Sequence, residues 1–426
     1  MSLPRKFGLF QRPWSAHGLT YLRERLTSHN RNGLHAPEEI DRLARRVLVP
    51  TLPISDEELA RTGHHDRGQR LARQDSWDDL SEAIRSADCA RRTTPGGEPA
   101  ALLLADGARS DVVAAAEDAL HDLVTPDPEG LQAFGTIFVD RPRDYPAGLV
   151  VALAHIDIAA AWRRFSDLRD PHDSAAHIAF HLNEATGILN TFREEARNTP
   201  SITAALAILA AATSQPVQRL VDLNERLIML EPGAHRHMRA YGRHLLRVPG
   251  GGPAAIEVAA RRMAVQMEEY WGAGGYVWVY LDALAMDAAT LDLIDSEFFI
   301  TGLRDIFDRN EDQHIANVLA AFCAITMRPR PDVPTAPHAA AARARIHDFV
   351  DDILRHHLSE LHPLIWSQAL LAPTAPRLLP ARRALVSKGR QTALRVIAAR
   401  LASDIPSHGA ISLSGTGLKR LSTLDS

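Results

Sequence analysis

Apolar residues recur along this chain with the period of a helix. Over 343–361, RARIHDFVDDILRHHLSEL, the positions Ile346, Phe349, Val350, Ile353, Leu354, Leu358 and Leu361 fall at i, i+3, i+4, i+7, i+8, i+12 and i+15. Those intervals lie on one stripe of a helix, so the spacing predicts an amphipathic helix. Residues 311–326 repeat the pattern with Ile315, Val318, Leu319, Phe322 and Ile325. Asn310 stands before them as an N-cap candidate, with Gln313 three residues on. Trp77, Leu80, Ile84 and Ala87 make a shorter stripe behind Ser76. Period-two alternation is nearly absent, and FGTIFV at 134–139 and YVWVY at 276–280 are the short strand candidates. The expectation is an all-α chain.

Helix breakers then divide the pattern. They sit at Pro200, at Pro232-Gly233, from Gly250 to Pro253, from Gly272 to Gly275 and near Asn310. Unit starts at 200, 233, 275 and 311 give separations of 33, 42 and 36 residues, room for a pair of helices each. Helix pairs of that period stack into α-solenoids, each pair burying a face against the next. Four stretches follow from the punctuation. Residues 1–100 form a polar N-terminal helical segment that closes in RRTTPGGEP, and 101–330 form the helical-repeat domain. RPRPDVPTAPH at 328–338 is a stiff linker into C-terminal helices over 331–405, which are interrupted at APTAPRLLP, 372–380. A basic helix at 381–403 caps the array or docks a partner. The tail, 406–426, has no period and is expected to be disordered.

The stretch LEPGAHRHMRAYGRHLL, 230–246, resembles a junction between tetratricopeptide repeats. There, one helix ends in an acidic-Pro turn and the next carries a glycine at a close helix contact. Pro232 and Gly242 have that spacing, and Ala254 fits the small residue on the partner helix. The resemblance covers about 150–330. HIDIAAAWRRF, HMRAYGRHLL and WGAGGYVWVYLDAL are also similar to stretches of uncharacterised bacterial helical-repeat proteins, a likeness that bears on fold and supplies no activity.

Composition narrows the function classes. The 426 residues carry a net charge of −4, so nothing in the balance demands nucleic acid. Two cysteines, Cys89 and Cys323, exclude a disulfide scaffold or a multi-cysteine zinc cluster. MSLPRKFGLFQRPWSAHG lacks the apolar run of a signal peptide, and no uninterrupted apolar stretch reaches the length of a spanning helix. The expected location is cytoplasmic.

Chemistry has few footholds. On a wheel, Val151, His155, Ile158, Trp162 and Phe165 share one side, which turns His155 into the core. His177 and His181 are four residues apart, with Glu184 completing their side. Two such imidazoles and a third from a neighbouring helix could hold a divalent metal, Glu184 serving as base. Buried neutral histidines bonded to other groups are the competing reading, and HIAFH lacks the internal glutamate of HExxH. WGAGG at 271–275 reads as a tight turn rather than a phosphate loop, because helix precedes it and no GK[ST] follows. HHDRG at 64–68 reads as a solvated loop, and Ser110 in GARSDVV as a helix cap. In 230–246, Ala234, Met238, Tyr241 and Leu245 form the buried side, leaving Arg236, Arg239 and Arg243 together on the opposite side for water or a partner. The expected function is protein or peptide binding by a non-catalytic scaffold with no cofactor, with self-association as a further mode. The alternative is a metal-dependent enzyme built on His155, His177 and His181.

Overall fold

Helix is the state of most described residues, as the periodicity requires. The computed structural model describes residues 36–213, 215–330, 333, 335–371 and 380–422. The expectations that fall on 1–35, on 331, 332 and 334 of the proline-rich linker, on 372–379 and on 423–426 lie outside them. After α1 (Pro37–Ala44) and β1 (Val47–Leu48) come α2 (Asp56–Arg73), α3 (Trp77–Cys89), α4 (Ala100–His121) and α5 (Glu129–Asp140). The long α6 (Tyr145–Phe165) and α7 (Pro171–Asn190) precede α8 (Pro200–Ala212), α9 (Val217–Leu230), α10 (His235–Leu245) and α11 (Pro253–Gln266). The rest runs through α12 (Glu268–Trp271), α13 (Gly274–Met286), α14 (Ser296–Arg309), α15 (Gln313–Ala321), α16 (Pro337–Asp348), α17 (Val350–His356), α18 (Pro363–Leu370) and α19 (Arg382–Arg400). It ends in β2 (Ala410–Ser414) and β3 (Gly417–Leu421).

Contacts divide the chain into two units, neither bounded at 100 or 330 as the punctuation suggests. Asp56–Ala259 form one, an insert; the chain up to Ser55 and from Ala260 onward forms the other, a host. The cut falls inside α11, so the repeat-like span 150–330 is shared between them. The N-terminal segment is likewise not one body, since α2 and α3 belong to the insert.

In the insert, α6 is buried almost all round, with Val150, Ala152, Ala154 and Ala161 fully enclosed. Tyr145–Leu168 is long and apolar enough to cross a membrane by length and composition, although His155, Asp157, Arg163 and Arg164 interrupt its apolar run; 83% of its apolar 18-residue window is buried inside the protein. Around α6 the helices pack in alternation. α2 contacts α4, α4 contacts α6, α6 contacts α8 and α8 contacts α10, while α3, α5, α7 and α9 pack against their neighbours in sequence. Two glycines allow the tightest crossing. A Cβ on Gly68 of α2 would overlap the Leu104 carbonyl oxygen, and one on Gly107 of α4 would overlap that of His65. HHDRG is therefore a contact surface inside a helix, and Ser110 lies in mid-helix with its hydroxyl donating to Gly107 O at 2.8 Å.

In the host, β2 pairs parallel with β1, Val47 opposite Ile411, and antiparallel with β3. The expected disordered tail is thus a hairpin as far as Leu421, with Ala410, Ile411 and Leu413 buried. Its five-residue strands carry no apolar run, and the partner that fixes them lies far away in sequence. Both predicted strand segments are helical, in α5 and α13. The stripe over 343–361 is buried as read, but the helix starts at Pro337 and breaks at Phe349. Asp312, not Asn310, caps α15, accepting from the His314 and Ile315 amides. Gln313 instead pins a distant loop, donating to His357 O at 3.0 Å and accepting from Ser359 N at 2.9 Å. WGAGG is the turn expected of it, with Gly272 at φ +56°. The basic helix α19 uses Arg395 on Asp41 and Arg400 on Asp351, so these charges are paired within the host.

Candidate functional site

The sequence singled out one group of histidines and one of arginines, both in the insert. His155 on α6 and His181 on α7 do meet. Their exposures are 6% and 7%, and their Nδ1 atoms lie 3.1 Å apart. At that distance one Nδ1–H donates to the other's lone pair, which requires the accepting ring to be neutral. Burial pushes each pKa down to about 4, aided at His181 by its neighbours His155 and His177. The pair therefore takes up an additional proton only at acid pH.

His177 does not join them. It lies flat on Trp162, ring centroids 4.1 Å apart and planes 7° from parallel, with Nε2 3.5 Å from Asp173. α6 and α7 thus meet through two aromatic rungs, His155 with His181 and Trp162 with His177. An i, i+4 spacing brings two side chains onto one face, but each ring is taken by the residue opposite it. Glu184 is exposed. Among the described residues no group of three or more His, Cys, Asp or Glu side chains is placed to hold a metal.

The arginines of α10 also depart from the wheel. Arg236 is turned inward, its Nε donating to Gly96 O at 3.2 Å and its Nη2 lying 3.8 Å from Glu57 and 3.9 Å from Glu98. Glu57, 3% exposed, accepts from Gly96 N at 2.6 Å, and Arg61 holds Glu98 at 2.7 Å. Burial pushes the Arg236 guanidinium down to about 10, with Arg239 beside it adding to the shift. The turn RRTTPGGEP is clamped by this charge cluster. Gly97, at φ +72°, lies so close to the His235 ring that no side chain fits there. His235 and His237 are buried, and His237 is 2.7 Å from Glu231. Arg239 and Arg243 are half-buried, so the three arginines do not form a common outward face. Gly242 is buried and Ala254 is exposed.

Sequence reasoning missed a third cluster. Asp88, in the last turn of α3, is 3% exposed. It accepts from Ser201 N at 3.2 Å, Ser201 Oγ at 2.6 Å and the Tyr145 hydroxyl at 3.2 Å. Ser201 opens α8 and Tyr145 opens α6, so one carboxylate receives the donors of two helix starts and caps α8 from outside it. Burial outweighs these bonds and pushes the Asp88 pKa up to about 6, with Glu231 raising it further. The clue was present in SADCARR: an aspartate at a helix C-terminus sits against the dipole and needs another reason to be there.

Comparison with protein-family models, with curated proteins and with solved structures returns no match.

Proposed function

We propose that the chain is a non-catalytic scaffold that binds a protein or peptide on an array of helix pairs of tetratricopeptide-like kind. The observation that supports this reading is the packing order of the insert. Each of α2, α4, α6, α8 and α10 lies against the next, and intervening helices pack against their sequence neighbours. A layered order of this kind builds an extended face from equivalent positions of successive pairs, which suits recognition of a segment of chain. Helix starts at Pro200, His235, Gly274 and Gln313 fall near the unit starts read from the breakers. Of the three arginines offered for partner contact, Arg239 and Arg243 keep that role in this reading, whereas Arg236 is an internal tie.

Selection of a displayed random dodecapeptide library on the full chain tests the proposal. The expected outcome is a recurrent motif that binds with micromolar affinity, weakened about tenfold or more by Arg239→Glu or Arg243→Glu. Failure to enrich any sequence that binds better than about 1 mM sinks the scaffold reading.

A further inference from the structure

α8 and α9 pack against each other, and the single turn Glu195–Arg197 stands over one end of the seam. Between them lies a cleft of about 280 Å³. The floor is apolar: Leu206, Leu223 and Ala196 are at most 8% exposed. Thr203 also lines it, but its hydroxyl already donates to Ala196 O at 2.6 Å.

The rim is cationic. Arg193, Arg197, Arg219 and Arg226 surround the floor, against one carboxylate, Glu194. Arg219 and Arg226 are seven residues apart on α9 and so share a face, about 10.5 Å apart along its axis. Arg197 pairs with Glu194 at 3.2 Å, both side chains largely in solvent. Arg193 donates to the neutral Asn190 amide oxygen at 3.0 Å. Among the described residues no carboxylate reaches Arg193, Arg219 or Arg226. Elsewhere in the insert Arg73 holds Asp111 through two bonds, Arg109 holds Asp157 and Arg164 holds Glu117, while Arg163 and Arg169 donate to backbone carbonyls. A chain of net charge −4 has carboxylates in excess, yet leaves three cations unanswered around one concavity.

Guanidiniums gathered on a rim repel one another unless an anion lies between them, and their planar forks match phosphate oxygens. An apolar floor below them suits an organic body, and a volume of about 280 Å³ is at the small end for a small-molecule site. We propose that this cleft binds a multiply charged small organic phosphate. The phosphates lie on Arg193, Arg219 and Arg226, and the organic body covers Leu206 and Leu223. This site stands independently of the scaffold reading, since it uses none of the same residues.

Titration calorimetry on the full chain tests it with ATP, fructose 1,6-bisphosphate, inorganic triphosphate and adenosine as probes. ATP or the bisphosphate is expected to bind with a Kd below about 1 mM, weakened by added salt, and adenosine not at all. The two organic phosphates distinguish a nucleotide from a sugar phosphate. Inorganic triphosphate, which leaves the floor uncovered, is expected to bind about tenfold more weakly than the better of them. The double variant Arg219→Ala, Arg226→Ala replaces two exposed side chains and is expected to weaken binding about 30-fold with its thermal transition unchanged. Arg383→Ala, exposed on α19, is expected to leave binding as it was. The proposal falls if neither organic phosphate binds below about 1 mM, or if the double variant binds as the wild type does. It also falls if inorganic triphosphate binds as tightly as the organic phosphates, or if a polyglutamate peptide binds more tightly than either.

Discussion

Two buried sites of opposite character contribute to the acid response at the scale of single residues. His155 and His181 titrate at about 4 in the fold and near 6.5 when unfolded. The unfolded chain therefore takes up protons that the folded chain refuses, and stability falls as pH drops from about 6.5 towards 4. At about 1.4 kcal/mol per pKa unit the ceiling is about 3.5 kcal/mol per imidazole. Asp88 runs the other way. Its carboxyl is raised to about 6 from 3.8, so the fold binds its proton first and gains stability as pH drops through that value. Both effects share one window and partly cancel. Denaturant unfolding at pH 7.5, 6, 5 and 4.5 separates them. Asp88→Asn is expected to steepen the loss of stability on acidification, and His181→Leu to flatten it. Unchanged slopes in both variants would mean that neither group is as desolvated as its packing indicates.

Between helices, the sharpest test lies in α2, where two glycines five residues apart have opposite surroundings. Gly63 faces open space, whereas Gly68 touches the α4 backbone, as Gly107 touches α2 in return. Gly63→Ala is expected to raise stability by about 0.5–1 kcal/mol through helix propensity alone. Gly107→Ala is expected to cost about 3 kcal/mol, because the new carbon can be housed only by moving two backbones apart. Thermal unfolding of the two variants checks the contrast, and equal effects would dismiss the close crossing. The same helices show what a sequence displays and what it hides. The stripe from Ile346 to Leu361 was legible because burial imposes a period, and the Gly272 turn because positive φ selects glycine. His177 was misplaced because a wheel gives the face of a residue and not what stands opposite, and Trp162 stands there. Arg236 was misplaced for a similar reason: its partners Glu57 and Glu98 lie more than a hundred residues upstream. Asp88 follows no period at all, since its bonds run to the starts of two other helices.

For the whole molecule, the order of contacts makes the host discontinuous and the insert continuous. A fragment spanning 56–259 is expected to unfold cooperatively on its own, with helical circular dichroism. A fragment beginning at 260 lacks α1 and β1, the partners of α19 and β2, and is expected to be less stable than the host within the full chain. Chemical denaturation of both fragments checks this, and a 56–259 fragment without a cooperative transition would refute the division. The pairing of Val47 with Ile411 carries a further consequence, one of timing during synthesis. The two residues are separated by 364 positions. At about 5–20 residues per second, β1 leaves the ribosome roughly 20–70 seconds before its partner strand exists. The insert emerges complete within that interval and can fold while β1 still waits, so a strand translated before the insert is locked in place only after it.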